Sequence, residues 1–156
     1  MTNFDGRVYV VEFARAAVAT APATIGYINA GATYPCYLLG WSWGNESVDT
    51  GDEQIHIICQ RISTDTTGTL VTPAPIREGD SAAVFTANEY LATEPTYDAE
   101  PQVGGGFIRN NKIGGHIWLP KKIPVIPGVA EGLGIKVVDT IAAHDIRCWM
   151  WVGEEH

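Results

Sequence analysis

A chain of 156 residues and 16.8 kDa is sized for one domain. Its residues are 46% apolar and only 18% charged, which excludes intrinsic disorder. Ten basic residues against eighteen acidic ones leave a net charge of −8, and the only adjacent basic pair is Lys121-Lys122. Nucleic-acid binding, which needs clustered cations, is therefore not expected.

Seventeen glycines and nine prolines, about one residue in six, interrupt the chain too often for long helices. The sequence predicts a run of short strands instead. Arg7–Phe13 opens it, with Tyr9, Val11 and Phe13 on one face. Residues 14–21 are Ala-rich, but eight uncapped residues make a marginal helix, so they read as strand or connector. Thr24–Asn29 follows.

Tyr34–Trp43 is an apolar, aromatic run suited to a buried strand. Residues 45–52 read as a turn. Gln54–Ile62 alternates cleanly, placing Ile55, Ile57 and Cys59 on one face and His56, Ile58 and Gln60 on the other. A turn is expected at Ser63–Gly68. Pro73 and Pro75 then demote their segment to an edge or loop.

Ser81–Asn88 reads as another strand. Residues 89–106 show no periodicity and carry Pro95, Pro101 and three consecutive glycines, so a long loop or arm is expected there. Phe107–Arg109, His116–Leu119, Gly134–Val138 and Ile146–Val152 complete the strands, with Pro120, Pro124 and Pro127 breaking the stretch after Leu119. About eight to ten strands in a single domain point to an all-β, jelly-roll-like sandwich.

Cys36, Cys59 and Cys148 are odd in number, far apart and in apolar company, so they read as core residues of a reducing compartment rather than a disulfide framework or zinc site. The first residues lack the features of a secretory leader, and no apolar run approaches the ~18–20 residues of a membrane span. His56 and Cys59 fall on opposite faces of a strand. His144-Asp145 reads as an exposed turn before the last strand. Asp49, Asp52 and Glu53 lack the spacing of a calcium loop. Gly79-Asp80-Ser81-Ala82 is not a nucleophile elbow, and Gly104-Gly105-Gly106 is not a phosphate loop. No enzyme and no cofactor are expected.

Two features leave readings open. Five tryptophans fall as Trp41/Trp43, Trp118 and Trp149/Trp151, and a spacing of two puts both rings of each pair on one face. Such pairs build either a core or an exposed platform for carbohydrate, with Trp41 and Trp43 or Trp118 as the candidates. Charge is also segregated: residues 46–100 are acidic and 101–136 largely basic. Opposite blocks either steer contact between copies of the chain or simply decorate loops.

Several short motifs, in order, resemble a group of small proteins encoded by tailed bacteriophages and prophages among their structural genes. They are Cys36-Tyr37-Leu38-Leu39-Gly40-Trp41, Asp52-Glu53-Gln54-Ile55 with Arg61, Gly68 and Pro73, and Gly79-Asp80-Ser81-Ala82-Ala83. Trp118-Leu119-Pro120, Pro127-Gly128, Gly134-Ile135-Lys136-Val137-Val138 and the closing Gly153-Glu154-Glu155 follow. The resemblance spans nearly the whole chain. It implies a virion component that decorates the outer capsid, assembled in the host cytoplasm, with the major capsid protein as partner and a homo-oligomer, a trimer first, as the working form. On that reading Tyr90, Tyr97, Phe107, Trp118, Lys121 and Lys122 are the candidate interface, and residues 89–106 and 120–128 are the arms that reach a neighbour. A tail or head–tail connector component and a carbohydrate-binding module are the alternatives.

Overall fold

The computed structural model describes residues 5–18, 22–46, 54–89, 93–109, 114–125, 131–139 and 143–156. Among them there is no helix and there are eleven strands: β1 (Arg7–Val18), β2 (Ala23–Asn29), β3 (Cys36–Asn45), β4 (Gln54–Thr64), β5 (Thr69–Val71), β6 (Ala74–Pro75), β7 (Thr86–Glu89), β8 (Thr96–Arg109), β9 (Gly115–Val125), β10 (Gly132–Asp139) and β11 (His144–Glu154). They form two antiparallel sheets, ordered β6-β1-β11-β3-β9 and β5-β7-β2-β10-β4-β8.

The pairings are nested. β1 pairs with β11, β2 with β10, β3 with β9 and β4 with β8. A single antiparallel ribbon, running out through β1–β4 and back through β8–β11, is thus rolled so that successive strands alternate between sheets. That is a jelly roll. The short β5, β6 and β7 come from the far end of the ribbon. β6 extends one sheet beside β1, and β7 and β5 extend the other beside β2.

Inward alternation fills the space between the sheets. Tyr9, Val11 and Phe13 meet Val152, Met150 and Cys148 across β1 and β11, and Ile55, Ile57, Cys59, Ile135 and Val137 come from the opposite layer. All eleven side chains are fully buried. Gly26 is required beneath Phe13, because a Cβ there would lie 2.2 Å from the ring. Outside the second sheet, Tyr27, Ile62 and Tyr97 form a smaller cluster.

Of the two readings left open for residues 14–21, strand holds over 14–18, which continue β1 because β11 starts at His144 and supplies partners there. Three expectations change. His144 is consequently buried, and not in an exposed turn. The segment expected as an arm is mostly strand β8, and the proline-rich stretch after Leu119 continues β9 as far as Val125. Both are edge strands, where a missing N–H is tolerated.

Each edge absorbs its irregular residues as a wide bulge. Tyr97 pairs with Ile62 and Gln102 with Gln60, so residues 98–101 face Arg61 alone. Trp118 pairs with Gly40 and Ile123 with Leu38, so Leu119, Pro120, Lys121 and Lys122 face Leu39 alone. Bulges, prolines and lysines of this kind blunt an edge against strand addition. Part of the expected strand at Ser81–Asn88 is likewise irregular, and only Thr86–Glu89 pairs.

Candidate functional site

The outward face of the five-stranded sheet holds the densest group of exposed aromatic side chains among the described residues. Cross-strand register builds it row by row. Val10, Trp151, Gly40 and Trp118 form one row across β1, β11, β3 and β9. Glu12, Trp149, Ser42 and His116 form the next. Ala14, Arg147 and Gly44 continue the pattern.

β3 therefore contributes a floor of small residues, flanked by large ones from both neighbours. A Cβ on Gly40 would lie 2.7 Å from Cε3 of Trp118 and 2.9 Å from the Ile117 carbonyl oxygen. Only glycine lets that indole lie down on the sheet. Trp118 meets His116 at 4.6 Å and Trp151 at 5.1 Å between ring centroids, and His116 meets Trp151 at 4.9 Å, edge to face. These separations suit favourable ring contacts. Trp118 nevertheless remains 52% exposed.

A polar network continues the face from there. Trp149 donates its indole N–H to Glu12 Oε2 at 3.2 Å. Arg147 joins Glu12 to Glu46: Nη1 donates to Glu12, while Nε and Nη2 approach the two Glu46 oxygens at 2.8 and 3.1 Å. Beside the bulge of β9, Lys122 pairs with Glu155 and lies 4.1 Å from the Tyr37 ring centroid. Hydrogen bonding to Glu155 holds the Lys122 ammonium above its usual range and, in return, the Glu155 carboxyl below its own.

The four expected interface residues whose side chains are described do not all converge. Trp118, Lys121 and Lys122 share β9, and all three are exposed. Tyr97 is on the opposite sheet, half-buried, its hydroxyl 2.7 Å from Thr24 Oγ1 and the Lys136 ammonium 3.9 Å over its ring. Burial raises the Tyr97 phenol well above its normal range and lowers Lys136. Tyr90 and the Phe107 side chain lie outside the described residues, as do Asp49, Asp52 and Glu53.

Trp41 and Trp43 do not form an exposed platform. They point between the sheets, 0% and 7% exposed, with their rings 4.5 Å apart. The three cysteines are free and buried, and burial pushes each thiol far above its ordinary range. Among the described residues no three His, Cys, Asp or Glu side chains are grouped to hold a metal ion.

Several described carboxylates of the acidic block are used internally. Glu89 accepts the Ala14 N–H, Glu94 accepts the Thr24 N–H and pairs with Arg15, Asp65 accepts from Asn29, and Asp80 lies 3.8 Å from Arg7. These four carboxylates tie down backbone and loops within the chain. One carboxylate, named in the sequence only as part of the closing Gly153-Glu154-Glu155 motif, matters more. Glu154 is fully buried at the end of β11, and its Oε1 accepts the N–H groups of both Val84 and Phe85 at 2.8 Å. Tyr9 and Arg7 hold the same loop through the Ser81 carbonyl and hydroxyl, and Gly79, at φ 89°, completes its turn.

No protein-family profile, curated protein or solved structure matches the chain.

Proposed function

We propose that the chain is a bacteriophage virion protein, a jelly-roll domain that attaches to the outer capsid surface and stabilises it through many copies. The observation that carries this reading is where the phage-like motifs fall in the fold. Cys36–Trp41 forms the start of β3, an interior strand of one sheet, and Gly134–Val138 forms most of β10, an interior strand of the other. Gly79-Asp80-Ser81 and Glu154-Glu155, distant in sequence, lie at one end of the sandwich: Glu154 fastens the following Val84–Phe85 backbone, and Arg7 reaches Asp80 and Ser81. Motifs so placed specify this particular roll, which supports reading the resemblance as one of fold and role together.

The attachment point is the bulge of β9. Pro120 and Lys121 project there from an edge strand, beside the Lys122–Glu155 pair, and proline limits the ordering cost of docking. On a symmetric lattice, contacts that are individually weak become stable through multivalency. The test is mass spectrometry of purified virions with copy counting. On the order of hundreds of copies per particle supports capsid decoration. About six or twelve copies would instead indicate a tail or connector position, and absence from the particle would end the virion reading.

A further inference from the structure

We propose that the outward face of the five-stranded sheet is a binding site for neutral saccharides, centred on Trp118 and extending over Ser42 to Glu12, Arg147 and Glu46. The inference goes beyond the virion reading and does not depend on it, because it rests on the local chemistry of this face.

Trp118 supplies the stacking surface. Its indole is set down on Gly40 and braced by Trp151 and His116, yet about half of it stays open to solvent. An indole face carries the negative side of a quadrupole and matches the apolar C–H face of a pyranose. Rings already held by their neighbours lose little freedom when a ligand arrives. An aromatic cluster needed only for packing would turn its broad surface inward, as Trp41 and Trp43 do on the other face of the same sheet.

The surroundings favour a sugar over a protein partner. A protein hot spot is an apolar anchor in an apolar pocket with charge kept to the rim. Here the next row is Glu12, Trp149, Ser42 and His116, and the row after it contains Arg147. Hydroxyl-rich ligands need donors and acceptors side by side, and this face presents a hydroxyl, an imidazole, two carboxylates and a guanidinium. Glu12 is fixed by Arg147 and Trp149, and Glu46 by Arg147. Each carboxylate keeps free lone pairs in a preset direction, since both residues remain exposed. Two carboxylates to one guanidinium leave the site acidic, which selects neutral sugars against sialylated or uronic ones.

The test uses the whole protein on an immobilised panel of neutral hexasaccharides of glucose, mannose, galactose and N-acetylglucosamine, with sialylated and uronate oligosaccharides as the charged arm. The expected result is binding to at least one neutral class and to none of the charged ones. Trp118→Ala should weaken that binding by about tenfold or more. Glu12→Gln should weaken it too, whereas Lys121→Ala, on the bulge, should leave it unchanged. Both site variants should retain the far-ultraviolet circular dichroism of the parent. Failure of every neutral sugar to bind, preference for charged sugars, or binding that survives Trp118→Ala would overturn the proposal. If no sugar binds but purified capsids do, and Trp118→Ala abolishes it, the face is a protein-docking surface. The virion reading would then stand while this one falls.

Discussion

Replacing Glu154 by alanine tests the closure of the roll most directly. Glu154 Oε1 is the acceptor for two backbone N–H groups, Val84 and Phe85, at 2.8 Å each. The Phe85 side chain is buried against Tyr9, so this loop cannot simply swing into water to rehydrate its amides. Leaving the buried Phe85 donor unsatisfied costs about 1–3 kcal/mol, and the part-buried Val84 donor and the cavity left by the side chain bring the loss to about 2–6 kcal/mol. For a domain of this size 1 kcal/mol corresponds to about 2–4 °C in Tm, which places the expected drop at roughly 5–20 °C. Glu154→Gln keeps an oxygen for both amides and removes the approach of the His156 ring to Oε2 at 3.4 Å, so its loss should stay below about 2 kcal/mol. Thermal unfolding followed by tryptophan fluorescence gives the two shifts, and hydrogen exchange at Val84 and Phe85 locates them. A Glu154→Ala protein that melts within about 2 °C of the parent, with both amides still protected, would refute the reasoning.

Gly26→Ala should destabilise by about 1–3 kcal/mol or prevent folding, because its Cβ would meet three carbons of the Phe13 ring within 2.8 Å. Gly44→Ala, where a Cβ meets nothing within 4 Å, should be neutral or slightly stabilising in the same denaturation assay, and equal effects would contradict the packing described. Cys36, Cys59 and Cys148 should all resist a thiol reagent at pH 8 until the protein unfolds, since burial keeps each one protonated and out of reach. Rapid labelling of the native protein would show one of them to be accessible. The Tyr27 phenol is pushed up to about 12, first by burial and then by the Asp65 carboxylate. An acid whose folded pKa exceeds its unfolded value of 10.0 holds more protons when folded, so its contribution is intact below pH 10 and is lost between pH 10 and 12. Tm measured against pH should fall across that window, less steeply in Tyr27→Phe, and identical slopes would remove Tyr27 as a cause.

Strands that are buried on one face were legible because alternation survives in a single chain. Arg7–Phe13 and Gln54–Ile62 carry their inward residues in strict phase, and both lie within observed strands. Edge strands were not. β8 contains Pro101 and three glycines, residues that argue against a central strand but are harmless where one side of the backbone faces solvent. The bulges compound this, since four residues opposite one erase the period of two in just those segments. Ser81–Phe85 failed for a different reason. Its composition suits a strand, but the Val84 and Phe85 amides are taken by a side chain 69 and 70 residues away, and local propensity carries no trace of that competition.

The aromatic face shows what a single strand can and cannot reveal. A spacing of two correctly implies that Trp41 and Trp43 share one face and that Trp149 and Trp151 share another, yet it is silent on which faces these are. The deciding signal lies in the residues alternating with them. On β11, Trp149 and Trp151 are in phase with Arg147, while Ile146, Cys148, Met150 and Val152 occupy the opposite phase, so the charged residue marks the tryptophan face as outward. On β3, Trp41 and Trp43 alternate with Gly40, Ser42 and Gly44, residues too small to anchor a core, so the tryptophans must turn inward. The two patterns are complementary, small outward residues on β3 lying beside large ones on β11. Their complementarity becomes visible only once β11 is paired with β3 and β3 with β9, which brings Trp151 and Trp118 together over Gly40. A surface assembled from three strands separated by up to 111 positions in the chain is a property of the register, and register is settled by tertiary packing.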